Sequence, residues 1–279
     1  MTARYALTPG RPVLLRPDGA VQIGWDPRTA VRVRPPDGMT LTQLTDLLHT
    51  LQTGRSRDEL HSATAQFGGR TVVDDVLDAL DSAGVLVRQP GKPARTATIR
   101  IHGRGPLSEL LAGALRRSGA RLQHSTEAHA APRPGTDLVV LADELVTEPR
   151  LVRELHRGRI AHLPVRVRDG TGLVGPLVIP GVTSCLHCAD LHRTDRDAAW
   201  PALAAQLRGT VGSATRATIL ATAALALRQV DLVIRAVGGT TGPEDPPQPP
   251  ATLDTTIELT GDGYTLGFRR WSRHPECRC

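Results

Sequence analysis

The sequence predicts an α/β protein built from a small N-terminal module and a larger second domain. Two observations predict this division: short apolar runs followed by helical patterns before position 89, and alternating strand and helix patterns after position 97. A charged stretch with two prolines and a glycine, RQPGKPART at 88–96, separates the two parts. We therefore expect a module at 1–89, a linker at 90–96 and a second domain at 97–279.

The composition is that of an ordinary soluble globular protein, with 40% hydrophobic and 22% charged residues in 279. The formal net charge is +6, but Lys92 is the only lysine and no block of basic residues is longer than a pair. Aromatic residues make up only 3% of the chain. A nucleic-acid partner is therefore not expected.

Membrane association is not expected either. We find no secretory signal, and the most apolar stretch, 214–239, carries three arginines and an aspartate. Its longest uncharged run covers only about half of the ~20 residues that span a bilayer. We expect a buried or half-buried helix there, and a cytoplasmic protein.

The four cysteines form two closely spaced pairs that lie far apart in the sequence. Cys185 and Cys188 have C-x2-C spacing, and Cys277 and Cys279 form C-x-C. Closely spaced cysteines of a cytoplasmic protein more often hold metal than disulfides, and four sulfurs make a closed, structural Zn²⁺ site. Three alternatives stay open: a redox-active C-x-x-C, two disulfides, or four unrelated buried thiols. A nearby histidine could replace one sulfur: His187, His192 or His274.

The first part shows three short apolar runs, VLLR at 13–16, AVQIG at 20–24 and AVRVR from Ala30, separated by turn-forming PDG and WDPRT. These runs predict a three-stranded meander. Apolar residues at helical spacing then predict three helices, at 41–51 with Thr40 as N-cap, at 57–67, and at 71–82. Three strands and three helices make a small winged-helix-like (β3α3) module.

The surface of this module favours a peptide over DNA. The last predicted helix, TVVDDVLDALDSAG, carries four aspartates on its polar side, and these would repel phosphate. In the third strand, Val31 and Val33 alternate with Arg32 and Arg34, and its edge could accept an extended peptide by β-augmentation. Proline at Val31 or Val33 is expected to abolish such binding by removing a backbone donor.

The second part opens with an apolar strand at 97–101, a glycine turn and an amphipathic helix. Further strands are predicted at 137–144 and 162–170, and a hairpin at 255–271. Strands that alternate with helices predict a parallel, helix-covered, Rossmann-like sheet. In the turn, Gly103 and Gly105 precede Ser108 where a third Gly or Ala would be expected, so the pattern is weak support for a nucleotide.

Two stretches of the second part resemble a known family: GLVGPLVIPGVTSCLHCADLHRTDRDAAWPALAAQL at 172–207 and RRWSRHPECRC at 269–279. Both are similar to the E1-like (ThiF/MoeB-type) superfamily, and most of all to cyclodehydratase-associated proteins of thiazole/oxazole-modified peptide pathways, a branch of RiPP and bacteriocin biosynthesis. The resemblance covers most of 97–279, and the cysteines are its most specific part. The first module is similar in topology to the PqqD-like recognition element that is fused in front of such proteins.

The resemblance implies a scaffold that binds the leader of a ribosomal precursor peptide and recruits it to a YcaO-type cyclodehydratase for azoline formation. It implies that the four cysteines hold Zn²⁺, and that the E1-like fold could form a homodimer. It also implies that the peptide lies along the third strand, with the last helix as the other wall of the groove. The implied peptide-binding residues are Val31, Arg32, Val33, Arg34, Val72, Asp75 and Val76.

Active members of the superfamily form an acyl-adenylate with a full glycine loop, a lysine, an arginine and aspartates. Since this chain has no lysine after Lys92 and an incomplete loop, catalysis and ATP binding are not expected. Gly103, Gly105 and Asp143 would then be a vestigial nucleotide site. If zinc holds all four cysteines, none remains as a nucleophile. The alternative is an active E1-like, ATP-dependent adenylyltransferase that acts on a peptide or carrier-protein carboxylate.

Overall fold

The computed structural model describes residues 4–63, 69–89, 95–127, 133–239, 248–262 and 265–279. The chain divides into two compact units. We call residues 4–63 and 69–89 the N-terminal unit, and the described residues from 95 onward the C-terminal unit. Residues 90–94 of the predicted linker lie outside the described ranges.

The described residues of the N-terminal unit contain six strands and three helices. In chain order these are β1 (Arg4–Leu7), β2 (Val13–Leu15), β3 (Val21–Ile23), β4 (Val31–Val33), α1 (Leu41–Leu51), β5 (Arg55–Ser56), α2 (Arg57–Ala63), α3 (Gly69–Ser82) and β6 (Leu86–Gln89). The antiparallel meander β2-β3-β4 forms one sheet, and β5-β1-β6 forms another.

The meander and the helices lie where the apolar pattern indicates, but the predicted number of three strands is wrong. β1, β5 and β6 were not predicted, because they are short and lack a sustained alternation of apolar and polar residues. Helix α2 is described as far as Ala63, and the remainder of its predicted length lies outside the described ranges. Helix α3 begins at Gly69, ahead of the predicted start at Thr71.

Helix α1 illustrates how the sequence sets the N-terminal core. Thr40 Oγ1 accepts a hydrogen bond from Gln43 N at 3.2 Å, and Gln43 Oε1 accepts one from Thr40 N at 2.8 Å. This reciprocal capping box satisfies two backbone donors at the start of the helix. One face of α1 is buried in a core that it shares with β1, β3 and α3. Its buried residues are Leu44, Leu47, Leu48 and Leu51.

The C-terminal unit is built on one seven-stranded sheet, in the order β13-β12-β11-β10-β9-β7-β8. Its elements are β7 (Thr98–His102), α4 (Pro106–Leu115), β8 (Arg121–Ser125), β9 (Leu138–Ala142), α5 (Pro149–Arg157), β10 (Ala161–Arg168), β11 (Thr171–Val174), α6 (Leu186–Thr194), α7 (Trp200–Gln206), α8 (Arg216–Gly238), β12 (Thr255–Leu259) and β13 (Leu266–Arg270). Strands β8, β7, β9 and β10 are parallel, and β11, β12 and β13 continue the sheet in antiparallel pairs. The parallel half and the β12–β13 hairpin match the sequence pattern.

Helices cover both faces of this sheet. Helices α4 and α8 pack on one face, against a core that includes Ile99, Val140 and Val165. Helix α5 packs on the other face, against Val139 and Leu141. By length and composition alone, α8 is the one helix of the described residues that could cross a membrane. Here the helix belongs to the core of the C-terminal unit, as the interrupted apolar pattern predicts.

Two buried histidines of this sheet predict a fall in stability at acid pH. Burial lowers the pKa of His162 to about 4, and burial, with the nearby charge of Arg100, lowers that of His102 to about 4 as well. An unfolded histidine titrates near 6.5, so between these two values the unfolded chain binds more protons. The contribution of the two histidines to the free energy of unfolding is therefore fully present above pH 6.5. It is lost as the pH drops towards 4, by roughly 3 kcal/mol for each histidine.

Urea denaturation at a series of pH values checks this expectation. His162→Asn keeps a donor for the carbonyl of Ile160, which accepts a hydrogen bond from His162 Nδ1 at 3.0 Å, but cannot titrate. We expect this variant to lose one histidine's share of the acid dependence, whereas the exposed His49→Gln should follow the parent curve. Equal slopes for the His162 variant and the parent would contradict the assignment.

Candidate functional site

The four cysteines, distant in sequence, lie together in the C-terminal unit. Cys185 is the N-cap of α6 and Cys188 lies in its first turn, while Cys277 and Cys279 belong to the tail that follows β13. The Sγ atoms of Cys185 and Cys188 are 3.7 Å apart, those of Cys185 and Cys277 are 3.6 Å apart, and those of Cys188 and Cys279 are 3.5 Å apart. All four are free thiols, and all four sulfurs lie within 4.8 Å of one another.

This spacing fits a tetrahedral metal site. Four sulfurs at ~2.3 Å from a central Zn²⁺ would be separated by about 3.8 Å, close to the distances found here. Burial raises the pKa of the Cys185 thiol, and burial with neighbouring thiols raises that of Cys277 to about 11. Burial acts in the same sense on Cys188, but hydrogen bonds from backbone groups, including one from His274, outweigh it and lower its pKa to about 7. The cluster could hold a metal ion. The ion would replace the protons of the thiols whose pKa is raised.

Hydrogen bonds hold the tail at this position. The Glu276 N–H donates to His274 Nδ1 at 3.2 Å, so the other ring nitrogen carries the proton and donates to Asp195 Oδ2 at 2.9 Å. Trp271 Nε1 donates to Thr256 Oγ1 at 2.9 Å. His274 therefore has no free nitrogen for a metal, although its side chain, with His192 and Asp195, has the spacing of a metal site. Its two hydrogen bonds hold the tail in place instead.

The other two histidines also take no part in the sulfur cluster. His192 Nε2 donates to the carbonyl oxygen of Ser272 at 3.1 Å, a further tie to the tail, and His187 is exposed on α6. The four sulfurs are thus the donor set that the structure brings together.

Gly103, Gly105 and Asp143 also meet, at the N-terminus of α4. Asp143 is buried at 1% exposure, and its carboxylate accepts hydrogen bonds from Leu107 N at 2.9 Å and Ser108 N at 3.2 Å. A Cβ atom on Gly105 would lie 2.8 Å from this carboxylate, and one on Gly103 would lie 2.4 Å from the carbonyl oxygen of Ala142. The glycines therefore admit the chain's own carboxylate, which fills the position where a helix N-terminus would receive a phosphate.

Removing this carboxylate should destabilise the unit. Asp143→Ala leaves two buried N–H groups without their acceptor and places alanine at a φ of 74°, so we expect a loss of about 2–3 kcal/mol. Asp143→Asn keeps one acceptor oxygen, and asparagine tolerates a positive φ, so about half of that loss is expected. Urea denaturation of the two variants measures the difference, and equal stability of Asp143→Ala and the parent would contradict the capping role.

The predicted peptide-binding residues lie on β4, directly after it at Arg34, and on α3 of the N-terminal unit. Val76 is part of the core cluster of this unit, and Val31, Val33 and Val72 pack against that cluster. The side chains of the two arginines and of Asp75 are exposed. β4 is the last strand of its sheet, so among the described residues one of its edges has no strand partner.

The hydrogen-bond register shows which residues of β4 face that open edge. Gly24 N donates to Pro12 O at 2.8 Å and Arg16 N donates to Ala20 O at 3.0 Å, so the even-numbered residues of β3 face β2. Val21 and Ile23 must then face β4, where they pair with Val33 and Val31. The backbone N–H and C=O groups of Arg32 and Arg34 consequently point away from β3, towards the open edge. The expectation that proline at Val31 or Val33 removes an outward donor is wrong, because those donors serve β3.

A cavity of about 810 Å³, which was not predicted from the sequence, lies beside the cysteine cluster in the C-terminal unit. Its lining includes Arg166 and Arg168 of β10, with residues of α5, α6, α7 and the tail. The alternation in PVRVRD, which places both arginines on one face of the strand, is the signal that could have indicated it.

Comparison with known proteins shows the fold. No family model and no protein with a curated description matches the chain. Among solved structures, the heterocyclase TruD aligns with a TM-score of 0.68 and 15% identity, over 99% of this chain and 42% of TruD. A heterocyclase in complex with substrate and cofactor aligns with a TM-score of 0.63 and 16% identity, over 98% of this chain and 39% of the other. E. coli MccB with ATP aligns with a TM-score of 0.56 and 14% identity, over 99% of both chains.

The lengths differ between these matches. The chain spans about two-fifths of the two heterocyclases and almost the whole of MccB. At such low identities the likeness concerns the fold alone. This chain therefore has a mixed α/β fold that MccB and a part of the heterocyclase TruD share.

Proposed function

We propose that this protein is a non-catalytic scaffold that binds a ribosomal precursor peptide and recruits it to a heterocycle-forming enzyme. The observation that carries the proposal is the open edge of β4, where the backbone groups of Arg32 and Arg34 point outward. An extended peptide would add to this edge as a further strand. Of the three predicted contacts on α3, the exposed Asp75 and the half-buried Val72 would read its side chains, whereas Val76 is buried in the core. The peptide-binding module would comprise 1–89, with the linker at 90–96.

The partner would be a YcaO-type cyclodehydratase that forms azolines in the peptide. In support, the chain shares its fold with a part of the heterocyclase TruD. We propose the cytoplasm as the location and a homodimer as a further possible assembly, with no membrane or nucleic acid involved.

The cysteine cluster would hold one structural Zn²⁺, with Cys185, Cys188, Cys277 and Cys279 as ligands in the domain at 97–279. A closed shell of four thiolates has no open position for substrate, so the metal would supply stability and no reaction. The tail would be joined to α6 through it. The distances between the sulfurs support this assignment.

A nucleotide has no role in this proposal. The carboxylate of Asp143 already satisfies the N–H groups that would bind phosphate, and the chain has no lysine beyond Lys92. A second candidate function is an active E1-like adenylyltransferase. The alignment with an MccB structure that contains ATP, over almost the full length of both chains, favours this second function.

Peptide binding in the absence of nucleotide separates the two functions. Peptides of about twenty residues, selected from a random display library against the immobilised full chain, are labelled and titrated by fluorescence anisotropy. The scaffold predicts micromolar or tighter binding that ATP does not change. Pyrophosphate exchange that depends on a carboxylate substrate, or peptide binding only in the presence of ATP, would support the adenylyltransferase instead.

A further inference from the structure

The cavity of the C-terminal unit lies on the face of the sheet that carries α5. Arg166 and Arg168 of β10 lie at its floor, and α5, α6, α7 and the tail residues 276–279 contribute its walls. Its volume of about 810 Å³ is within the range of cavities that hold drug-sized ligands, and far larger than a phosphate ion requires. Because the tail forms one wall, the cavity is complete only when the tail lies at the cysteine cluster.

The charge in this cavity is strongly unbalanced. Its lining includes two carboxylates, Asp190 and Glu276, and Asp190 already forms an ion pair with Arg193 at 2.8 Å. Six further arginines line it, and none of these six forms a salt bridge within the part of the chain that the structure describes. They are Arg153, Arg157, Arg166, Arg168, Arg208 and Arg278. Guanidinium groups that outnumber the carboxylates around them favour an anionic ligand.

Arg166 illustrates this imbalance. Its Nη1 donates to the carbonyl oxygen of Leu145 at 3.0 Å, which supplies no negative charge. Burial, reinforced by repulsion from Arg193 and offset only in part by attraction from Asp190, lowers the pKa of Arg166 to about 10. A carboxylate placed near this guanidinium would relieve both effects, so the floor of the cavity is where an anionic group gains most.

The features around the cavity favour carboxylates over polyphosphate. The two helices of the lining that are long enough to bind an anion at the N-terminus are α5 and α6, and both are already capped, by Glu148 and Cys185. Asp190 and Glu276 can accept hydrogen bonds from the backbone N–H groups of a peptide, which a polyphosphate lacks. Apolar side chains such as Trp200 and Leu186 complete the walls and would pack against apolar residues of the same ligand.

We propose that this cavity binds an acidic peptide segment, with its carboxylates on the arginines and its apolar side chains on the walls. This site is separate from the β4 edge and does not depend on it. A peptide engaged there would be held by charge and burial, and not by strand addition.

Isothermal titration calorimetry of the zinc-loaded full chain at low salt tests the site. The probe is a capped hexapeptide in which glutamate alternates with leucine, and its counterpart has glutamine in place of glutamate. We expect the glutamate peptide to bind at least about tenfold more tightly. The double variant Arg168→Ala/Arg208→Ala should lose about tenfold of that affinity, because both side chains are exposed in the cavity.

The matched control is Arg117→Ala/Arg121→Ala, which removes two exposed arginines of the same unit outside the cavity. Its affinity should stay within about twofold of the parent, because the long-range effect of charge is screened. Equal loss in both double variants would overturn the site in favour of general charge attraction. Equal binding of the glutamine peptide would overturn the role of carboxylates. Tighter binding of ATP, with the same dependence on Arg168 and Arg208, would reassign the cavity to polyphosphate. Arg32→Pro should not change this binding, so the outcome is independent of the β4 edge.

Discussion

Replacing Cys188 with alanine should abolish the binding of one Zn²⁺ per chain and lower the free energy of unfolding by about 4 kcal/mol or more. This is the stabilisation that a ligand gives when it is present at about a thousandfold excess over its dissociation constant. The buried Sγ of Cys188 lies 3.7 Å from that of Cys185 and 3.5 Å from that of Cys279. Its loss leaves three sulfurs where a closed site needs four. Metal analysis and urea denaturation measure the two effects.

A chelator and a neighbouring residue provide the controls. Chelation should destabilise the parent by a similar amount and the Cys188 variant hardly at all, which separates the metal from the small cavity that alanine creates. Ser184→Ala changes the buried residue next to Cys185, whose hydroxyl has no hydrogen-bond partner among the described residues, and should leave the zinc content unchanged. Full zinc occupancy in the Cys188 variant would contradict the four-sulfur site.

Arg32→Pro should abolish peptide binding at the β4 edge, with at least a thirtyfold loss of affinity, that is, about 2 kcal/mol or more. The backbone N–H of Arg32 points away from β3, so proline removes a donor to the peptide while it leaves the ladder between β3 and β4 intact. Anisotropy titration of the library-selected peptide in the absence of nucleotide measures the loss.

Two further variants separate backbone from side chain and edge from ladder. Arg32→Thr keeps the donor and a residue suited to a strand, so it should retain most of the affinity. Val33→Pro removes a donor that serves β3, so it should lower the stability of the N-terminal unit itself. Unchanged peptide affinity in Arg32→Pro would show that the peptide does not add to this strand.

The sequence predicts the cysteine cluster because metal-binding cysteines occur in closely spaced pairs, which can be recognised within a few residues. C-x2-C at a helix start places two thiols on one turn, and C-x-C supplies another two. The role of His274 could not be read in this way, since its partner Asp195 lies 79 positions away in the chain and reaches it only in the folded structure. Residue type alone made it a possible ligand, and geometry makes it a tail anchor.

Three strands of the N-terminal unit, β1, β5 and β6, were not predicted, and they have a common cause. β5 has two residues and β1 and β6 have four each, too few for a period of two to stand out, and their pairing is set by contacts between distant parts of the chain. The orientation of β4 has the same origin. Alternation placed Val31 and Val33 on one face, but which backbone groups face outward follows from the register with β3.

The function of Asp143 depended on the tertiary structure too. A weak glycine pattern suggested a vestigial nucleotide site, and the carboxylate was expected to belong to it. The structure places that carboxylate on the backbone N–H groups of Leu107 and Ser108, 36 and 35 positions away in the chain. Such a long-range cap leaves no local signal in the sequence.

X-ray absorption at the zinc edge, measured on the purified chain, shows whether a metal joins the tail to α6. The account predicts one zinc per chain surrounded by four sulfurs at about 2.3 Å, with no nitrogen or oxygen ligand. Cysteines found as disulfides without metal, or zinc bound through histidine nitrogen, would contradict it.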